Sequence, residues 1–352
     1  MNLGLGTLHF SSKILNSSEF REMIHYCVRN NISYFDTGFY YGEELTEFAL
    51  GKQLFNFPRE SYEIAVKYIL NREHSPEEML RIQFQKLNIS YADNLLLHNL
   101  TDKNISFYFD FLDFLEKSKR EGLAKRIGFS SHLSPQNLEI FLKIRKWDVI
   151  YLYLNWVDFY SNTAEEEYKL CEKYKVPVVA MGPLRGGRIL TLPKKYSLEL
   201  KRVHSEWSLV DWSLGWFNSL KNCYRVLTGA LSIKELQANI KASKNNLSLS
   251  DLNLLRDIAV DYKKEKLIPC TGCGYCENFC PQKIKIPLII KNYNKFLYEE
   301  EKDPRWLLSW MKEDLVSSDI NLCVFCGNCE QICPQKIDIP RRIKIIESCI
   351  NC

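Results

Sequence analysis

Residues 62–98 read YEIAVKYILNREHSPEEMLRIQFQKLNISYADNLLLH. A short run rich in aromatic and β-branched side chains, Tyr62–Val66, opens the stretch. Ser75-Pro76-Glu77-Glu78 then sets a cap, an N1 proline and an N3 carboxylate in order, the signature of a helix start. A segment of helical period follows, and a second short run, Asn94–Leu97, closes it. Each run suits a strand buried on both faces, and the helix between them makes a crossover of the kind that joins parallel strands. Both runs end in a polar residue, Lys67 and His98.

The same unit recurs outward in both directions. Further runs lie at Leu3–Leu8, Tyr34–Phe35, Lys125–Phe129, Val149–Leu154, Val176–Met181 and Tyr224–Leu227. Thr163…Glu166 and Ser232…Glu235 repeat the serine/threonine-x-x-glutamate pattern, and Ser134-Pro135 is a cap followed by an N1 proline. Eight strands, each followed by a helix, predict a (β/α)8 barrel over residues 1–265. An open doubly wound sheet is the alternative. It is disfavoured because no GxGxxG turn follows the first strand. The chain begins at the first strand, and Ser248–Lys264 reads as one more helix leading out of the barrel.

Composition narrows the class. The chain has 352 residues, a formal charge of +4 and 46% hydrophobic residues, enough for a substantial core. Mean hydropathy is −0.25, and no apolar run approaches the roughly 18 residues of a membrane helix. With no leader pattern at the N-terminus the expected location is cytoplasmic, off the membrane. No basic run with interleaved aromatics points to nucleic acid.

Cysteine is the outlier: ten of thirteen lie between Cys270 and Cys352. Residues 270–287, CTGCGYCENFCPQKIKIP, and 323–340, CVFCGNCEQICPQKIDIP, are near-copies. Both follow C-x2-C-x2-C-x3-C-P, the bacterial ferredoxin run for [4Fe–4S] clusters. Three thiolates on one tight loop can face the corners of a cubane. Structural zinc is the alternative, but zinc sites usually come as two separated C-x2-C hooks. Residues 266–352 are therefore expected to form a small α-helical ferredoxin-like domain with two clusters. In two-cluster ferredoxins the fourth cysteine of each run serves the other cluster. That likeness implies one set of Cys270, Cys273, Cys276 and Cys333, and another of Cys323, Cys326, Cys329 and Cys280. Each cluster contributes about −2 with its thiolates. Two therefore offset the formal +4, and the charge is no cue for an acidic partner. Cys27, Cys171 and Cys223 read as core thiols, and Cys349 with Cys352 as a frayed terminal pair. Trp306 and Trp310, four apart, mark an apolar helix face, read either as packing against the barrel or as docking for a redox protein.

A barrel places its active site at the C-terminal strand ends. There the sequence sets Asp36, Lys67 and His98 on consecutive strands, and Gly128-Phe129-Ser130 on the next. Singly, each polar residue has an ordinary reading as a cap or a satisfied side chain. Together they suit proton donation beside a carbonyl. A phenol, with a pKa of about 10, donates better when an ammonium stabilises its anion.

On these residues the chain resembles the aldo/keto reductase family. Asp36-Thr37-Gly38-Phe39-Tyr40-Tyr41-Gly42 matches the family's D-T-x-x-x-Y-G stretch, which selects Tyr41 over Tyr40. Gly4-Leu5-Gly6-Thr7 and Pro183-Leu184-Arg185-Gly186-Gly187 match as well. The resemblance implies a catalytic tetrad of Asp36, Tyr41, Lys67 and His98, with Tyr41 as general acid, and a nicotinamide pocket that includes Ser130, Leu184 and Asn239. The pocket also departs from the family. Ser131 takes the place of a frequent asparagine, Tyr151 of a glutamine, and Met181 of the stacking aromatic. Gly229 and Glu235 stand where a lysine and an arginine often meet the 2′-phosphate of NADP, and no hairpin precedes the first strand.

Three functions follow. The first is an oxidoreductase that reduces a carbonyl, or oxidises an alcohol, in the barrel mouth, with electrons exchanged through two clusters. NADP(H) or a flavin would split electron pairs, and a redox protein would be a partner. The second is an NAD(P)H-dependent reductase whose clusters are structural. The third is a cluster-bearing carrier or binding protein with an inactive barrel.

Overall fold

The structure, a computed structural model, describes residues 2–69, 74–265, 267–298, 303–316 and 319–350. The chain divides into two compact units, Met1–Arg185 with Tyr196–Asp261, and Gly186–Lys195 with Tyr262–Cys352. The segment Gly186–Lys195 thus groups with the tail, not with the barrel range 1–265 to which sequence alone assigned it.

In the first unit eight parallel strands close into a barrel: β1 (Asn2–Gly6), β2 (Tyr34–Asp36), β3 (Glu63–Tyr68), β4 (Ala92–Thr101), β5 (Ala124–His132), β6 (Val149–Tyr153), β7 (Val178–Met181) and β8 (Cys223–Thr228). Pairing of β1 with β8, Leu3 against Val226 and Leu5 against Thr228, closes the ring and excludes the open sheet. Tyr34, Leu96, Tyr151, Val179 and Leu227 fill the interior. The Tyr34 and Tyr151 hydroxyls bond one another, and the Asn94 Nδ2 donates to Tyr151 at 3.0 Å. Their polar atoms are spent inside the barrel, so this layer is a filled floor, not a channel.

The helix starts depart from their shared pattern. Ser75 forms a complete capping box with Glu78. Ser232 accepts from the Glu235 N–H at 3.2 Å, but the Glu235 carboxylate turns to the Leu231 N–H instead. Thr163 makes no cap bond, since its hydroxyl reaches Glu167 Oε1 at 2.7 Å. Ser134 precedes its proline as expected, yet its hydroxyl donates to Asp102 at 3.0 Å. A box absent from the sequence reading joins Ser208 and Asp211.

The second unit is built, among the described residues, from helices. The longer ones, Ile286–Tyr298, Pro304–Glu313 and Ile339–Ile350, contribute residues such as Ile289, Leu307 and Ile346 to a core that also includes Ile284, Ile337 and buried Cys276, Cys280 and Cys329. Trp310 packs against this core with the Lys295 Nζ 3.6 Å over its ring, while Trp306 is 38% exposed. Cys349 lies in the last helix and packs on the same core, so it is not frayed. Cys352 lies outside the described residues. Cys27, Cys171 and Cys223 are buried in the barrel unit, as expected.

The caps give a direct test by chemical denaturation. Ser75→Ala is expected to cost about 1 kcal/mol. Thr163→Ala, which carries the same four-residue pattern, is expected to stay within about 0.5 kcal/mol of the parent.

Candidate active site and cluster sites

Strand β2 is three residues long and delivers Asp36 at its end. The Thr7 N–H and hydroxyl both donate to the Asp36 carbonyl, at 3.0 and 2.8 Å, which fixes where the carboxylate leaves the strand. Tyr41 follows in a tight turn whose Tyr41 N–H donates to the Gly38 carbonyl at 3.0 Å. A Cβ on Gly38 would sit 3.1 Å from the Tyr41 ring, so the glycine lets the ring fold back over the strand end.

Lys67 on β3 joins the set. Its Nζ donates to Asp36 Oδ1 at 2.5 Å and to the Tyr41 hydroxyl at 3.0 Å. The Tyr41 hydroxyl lies 3.3 Å from His98 Nε2. All four side chains are buried. Tyr40 instead packs edge-on against Phe39.

His98 reaches the set through an irregularity. Leu97 pairs with Phe129 and Leu100 with Ser131, so two residues of β4 oppose one of β5. Asn99 takes the left-handed conformation at φ 60°, and the bulge re-aims His98. The Asn99 N–H then donates to Ser130 Oγ at 2.7 Å, and the Tyr108 hydroxyl donates to the His98 carbonyl.

Burial and charge act on these groups in opposite senses. Burial pushes the Asp36 carboxyl up, and the Lys67 ammonium pulls it back. Burial, then the positive charges of Lys67 and His132, hold His98 well below the ordinary histidine value. The imidazole is therefore neutral at neutral pH.

Two residues absent from the sequence reading stand behind Lys67. Glu47, 1% exposed, accepts from Gln83 Nε2 at 2.6 Å, and the same Nε2 donates to the Lys67 carbonyl at 3.2 Å. The spacing Glu47, Leu50, Leu54 at i, i+3, i+7 marks Glu47 as lying on an apolar helix face, and that signal was available in sequence.

The pocket residues fall on separate elements. Ser130 is on β5, Leu184 in the turn after β7, and Asn239 in the helix Ile233–Ala242 after β8. Asn239 is buried and its Nδ2 donates to Thr228 Oγ1 at 2.5 Å. Ser130 keeps its hydroxyl hydrogen for a further acceptor, having accepted from Asn99. The hydroxyl of Tyr151 is already held in the barrel floor. The Glu235 carboxylate accepts from the Leu231 N–H at 2.8 Å at the surface.

In the tail, one cavity is lined by Cys270, Cys273, Cys276 and Cys333, and a second by Cys280, Cys323, Cys326 and Cys329. The repeat is matched in backbone as well as sequence. Gly274 and Gly327 both take φ 78°, Lys283 and Lys336 take 52° and 53°, and Gly272 and Phe325 take 70° and 53°. These left-handed turns curl each loop so that its thiols face inward. Burial, with neighbouring Cys270 and Cys333 adding to it, pushes the Cys273 thiol up to about 12, and burial takes Cys329 to about 11. Such thiols become ligands when a cationic metal core compensates their charge. Among the described residues no three His, Cys, Asp or Glu groups close on a single-ion centre. The quartets surround a volume, which fits a multi-atom cluster better than one zinc ion.

The barrel and the paired cysteine loops are each matched by a known family. A family profile described as "Aldo/keto reductase family" matches residues 2–260, and one described as "4Fe-4S dicluster domain" matches residues 269–337. The chain belongs to the aldo/keto reductase family, and its tail is a domain for two [4Fe–4S] clusters. "Probable aldo-keto reductase 1" of Glycine max is 28% identical over 176 residues, 47% of this chain and 49% of the relative. "NAD(P)H-quinone oxidoreductase subunit I" of Gloeobacter violaceus is 29% identical over 93 residues, 22% of this chain and 38% of the relative. The chain thus spans about half or less of these two curated relatives. Among solved structures, aldo-keto reductase AKR11C1 from Bacillus halodurans in its holo form superposes with a TM-score of 0.61 at 21% identity, over 73% of this chain and 91% of that one. An aldo/keto reductase from Klebsiella pneumoniae in complex with NADP and acetate gives 0.60 at 17% identity, over 73% and 91%. Both establish the fold. Among the described residues no helix is long and apolar enough to cross a membrane.

The depressed His98 value predicts a silent imidazole. In NMR titrations its ring signals are expected to stay constant as pH falls to about 6.5, the ordinary histidine midpoint. Titration there would show that the ring is solvated and charged.

Proposed function

We propose that this chain reduces a small carbonyl compound, or oxidises the matching alcohol, in the barrel mouth, and exchanges the electrons through its two clusters. The observation that carries the reading is the buried run from Asp36 through Lys67 to Tyr41 and His98. Tyr41 gives its proton to the substrate oxygen as negative charge develops there. Lys67 stabilises the phenolate that remains, and Asp36 holds Lys67 in place. Neutral His98 orients the carbonyl with its ring N–H without competing for the proton. The burial of all four keeps water from the reacting oxygen.

When bound, a nicotinamide supplies hydride and the clusters supply single electrons. Ser130, Leu184 and Asn239 are the residues proposed to hold the nicotinamide nucleotide. Glu235 disfavours a 2′-phosphate, so NADP is the less favoured nucleotide. The solved Klebsiella structure with NADP favours a second reading, a nucleotide-dependent reductase whose clusters are structural. Cluster ligands are proposed as the two crossed quartets that line the tail cavities. Domains are proposed as a barrel over 1–265 and a cluster domain over 266–352, with Gly186–Lys195 packed in the latter unit.

Tyr41→Phe tests the chemistry. It is expected to lower carbonyl turnover by at least about 100-fold while leaving the cluster spectrum unchanged. Retention of most turnover would overturn the role of Tyr41.

The crossed ligand sets are tested by iron content. A Cys323→Ser, Cys326→Ser, Cys329→Ser protein is expected to keep one cluster. Adding Cys333→Ser should remove that cluster, and adding Cys280→Ser should not. Full nicotinamide-linked turnover by the triple variant would favour structural clusters over electron exchange.

A further inference from the structure

Glu47 and Gln83 are buried together beneath the active-site strand, and each leaves one oxygen without a hydrogen-bond partner. The Glu47 Oε1 accepts from Gln83 Nε2 at 2.6 Å. The Glu47 Oε2 and the Gln83 Oε1 are both buried and both unpartnered. One contacting pair thus carries two buried acceptors and no donor for either. A proton on Glu47 Oε2 supplies that donor. The carboxylic acid and the carboxamide then form a cyclic pair, with the acid O–H donating to Gln83 Oε1 and the amide N–H donating to Glu47 Oε1.

The pair has a structural task. Strand β2 stops at Asp36, and the last rung beyond it is the Thr37 N–H on the Ala65 carbonyl at 3.2 Å. The Lys67 carbonyl, two residues on, lies past the end of β2 and takes Gln83 Nε2 at 3.2 Å instead. Gln83 thus replaces a missing strand partner at the residue whose ammonium touches Asp36 and Tyr41.

We propose that Glu47 is held as a neutral carboxylic acid, cyclically paired with Gln83, and acts as a pH-sensitive positioning residue for Lys67. Its value to the site rests on the reading of Lys67 given above; its protonation state does not. The charged groups facing it are Lys67 on β3, Lys86 on the helix Pro76–Leu87, and Glu44 in the turn before its own helix. Burial dominates these, raising the carboxyl to about 7, with the Gln83 bond, Lys86 and Lys67 opposing and Glu44 assisting. Above that pH a carboxylate replaces the acid, the O–H to Gln83 is lost, and a negative charge is added behind Lys67.

Infrared spectroscopy of the holoprotein reads the proton directly. The difference spectrum, parent minus Glu47→Gln, should show the C=O stretch of a protonated carboxyl one pH unit below about 7 and lose it one unit above. Gln83→Met should lower the intensity or shift the midpoint of that band. The thermal midpoint of the parent should fall relative to Glu47→Gln as pH rises from about 4.5 through about 7, because a raised acid stabilises only while protonated. Tyr41→Phe should leave the band in place, which separates this inference from the role of Tyr41. A difference spectrum with no protonated-carboxyl band at any of these pH values, or a band indifferent to Gln83→Met, would overturn it.

Discussion

A lysine ammonium buried at the mouth of the barrel constrains everything around it. Lys67 is 0% exposed, and an ammonium there without partners would carry an uncompensated desolvation cost. Asp36 at 2.5 Å supplies the opposing charge, and the Tyr41 oxygen at 3.0 Å takes a further donor. A buried pair of this kind is a weak source of stability, because desolvating two ions offsets their attraction. Its use lies in geometry. The pair fixes the ammonium against one phenol, and a long flexible side chain becomes an oriented donor. The Thr7 bonds to the Asp36 carbonyl and the Gln83 bond to the Lys67 carbonyl hold the backbone under both partners.

The same charge sorts the remaining titratable groups. An ammonium in a dry site draws a carboxylate toward its charged form and drives an imidazole toward its neutral one. Burial pushes both Asp36 and His98 toward their neutral forms, and the ammonium opposes burial at Asp36 while adding to it at His98. A neutral ring beside a phenol keeps an N–H available without taking the phenol's proton, whereas a charged ring would add a second cation beside Lys67. The tail solves a related problem in another way. Its buried thiols raise one another's cost of ionisation, and only a metal core of opposite charge makes the quartets stable as thiolates.

Much of this arrangement was legible in the chain itself, and the boundary of legibility is physical. Asp36, Lys67 and His98 stand out because a polar residue ending an apolar run has few ways to be buried. Tyr41 required the family pattern, since Tyr40 and Tyr41 differ only in how a turn directs them. The bulge at His98 and Asn99 was hidden, because a left-handed residue in mid-strand is a backbone choice made by the neighbouring strand. Ser75, Thr163 and Ser232 carry one cap pattern, yet only Ser75 completes the box, while the Thr163 hydroxyl and the Glu235 carboxylate take other partners four residues away. Glu47 escaped because its meaning depends on Gln83, 36 residues away in sequence.

The tail was the most legible part because its constraint is local. Cysteines three apart on one loop are held together by the loop's own curl, and three left-handed positions recur at matching places in both copies. Phe325 adopts at φ 53° a conformation that its counterpart Gly272 adopts at 70° without steric cost. A bulky residue persists in that region only where its surroundings over-determine the backbone. The turn at Phe325 lies between Cys323 and Cys326, and all three residues line the same cavity. The second copy therefore carries a local conformational cost at Phe325 that the first, with Gly272 at the matching position, does not.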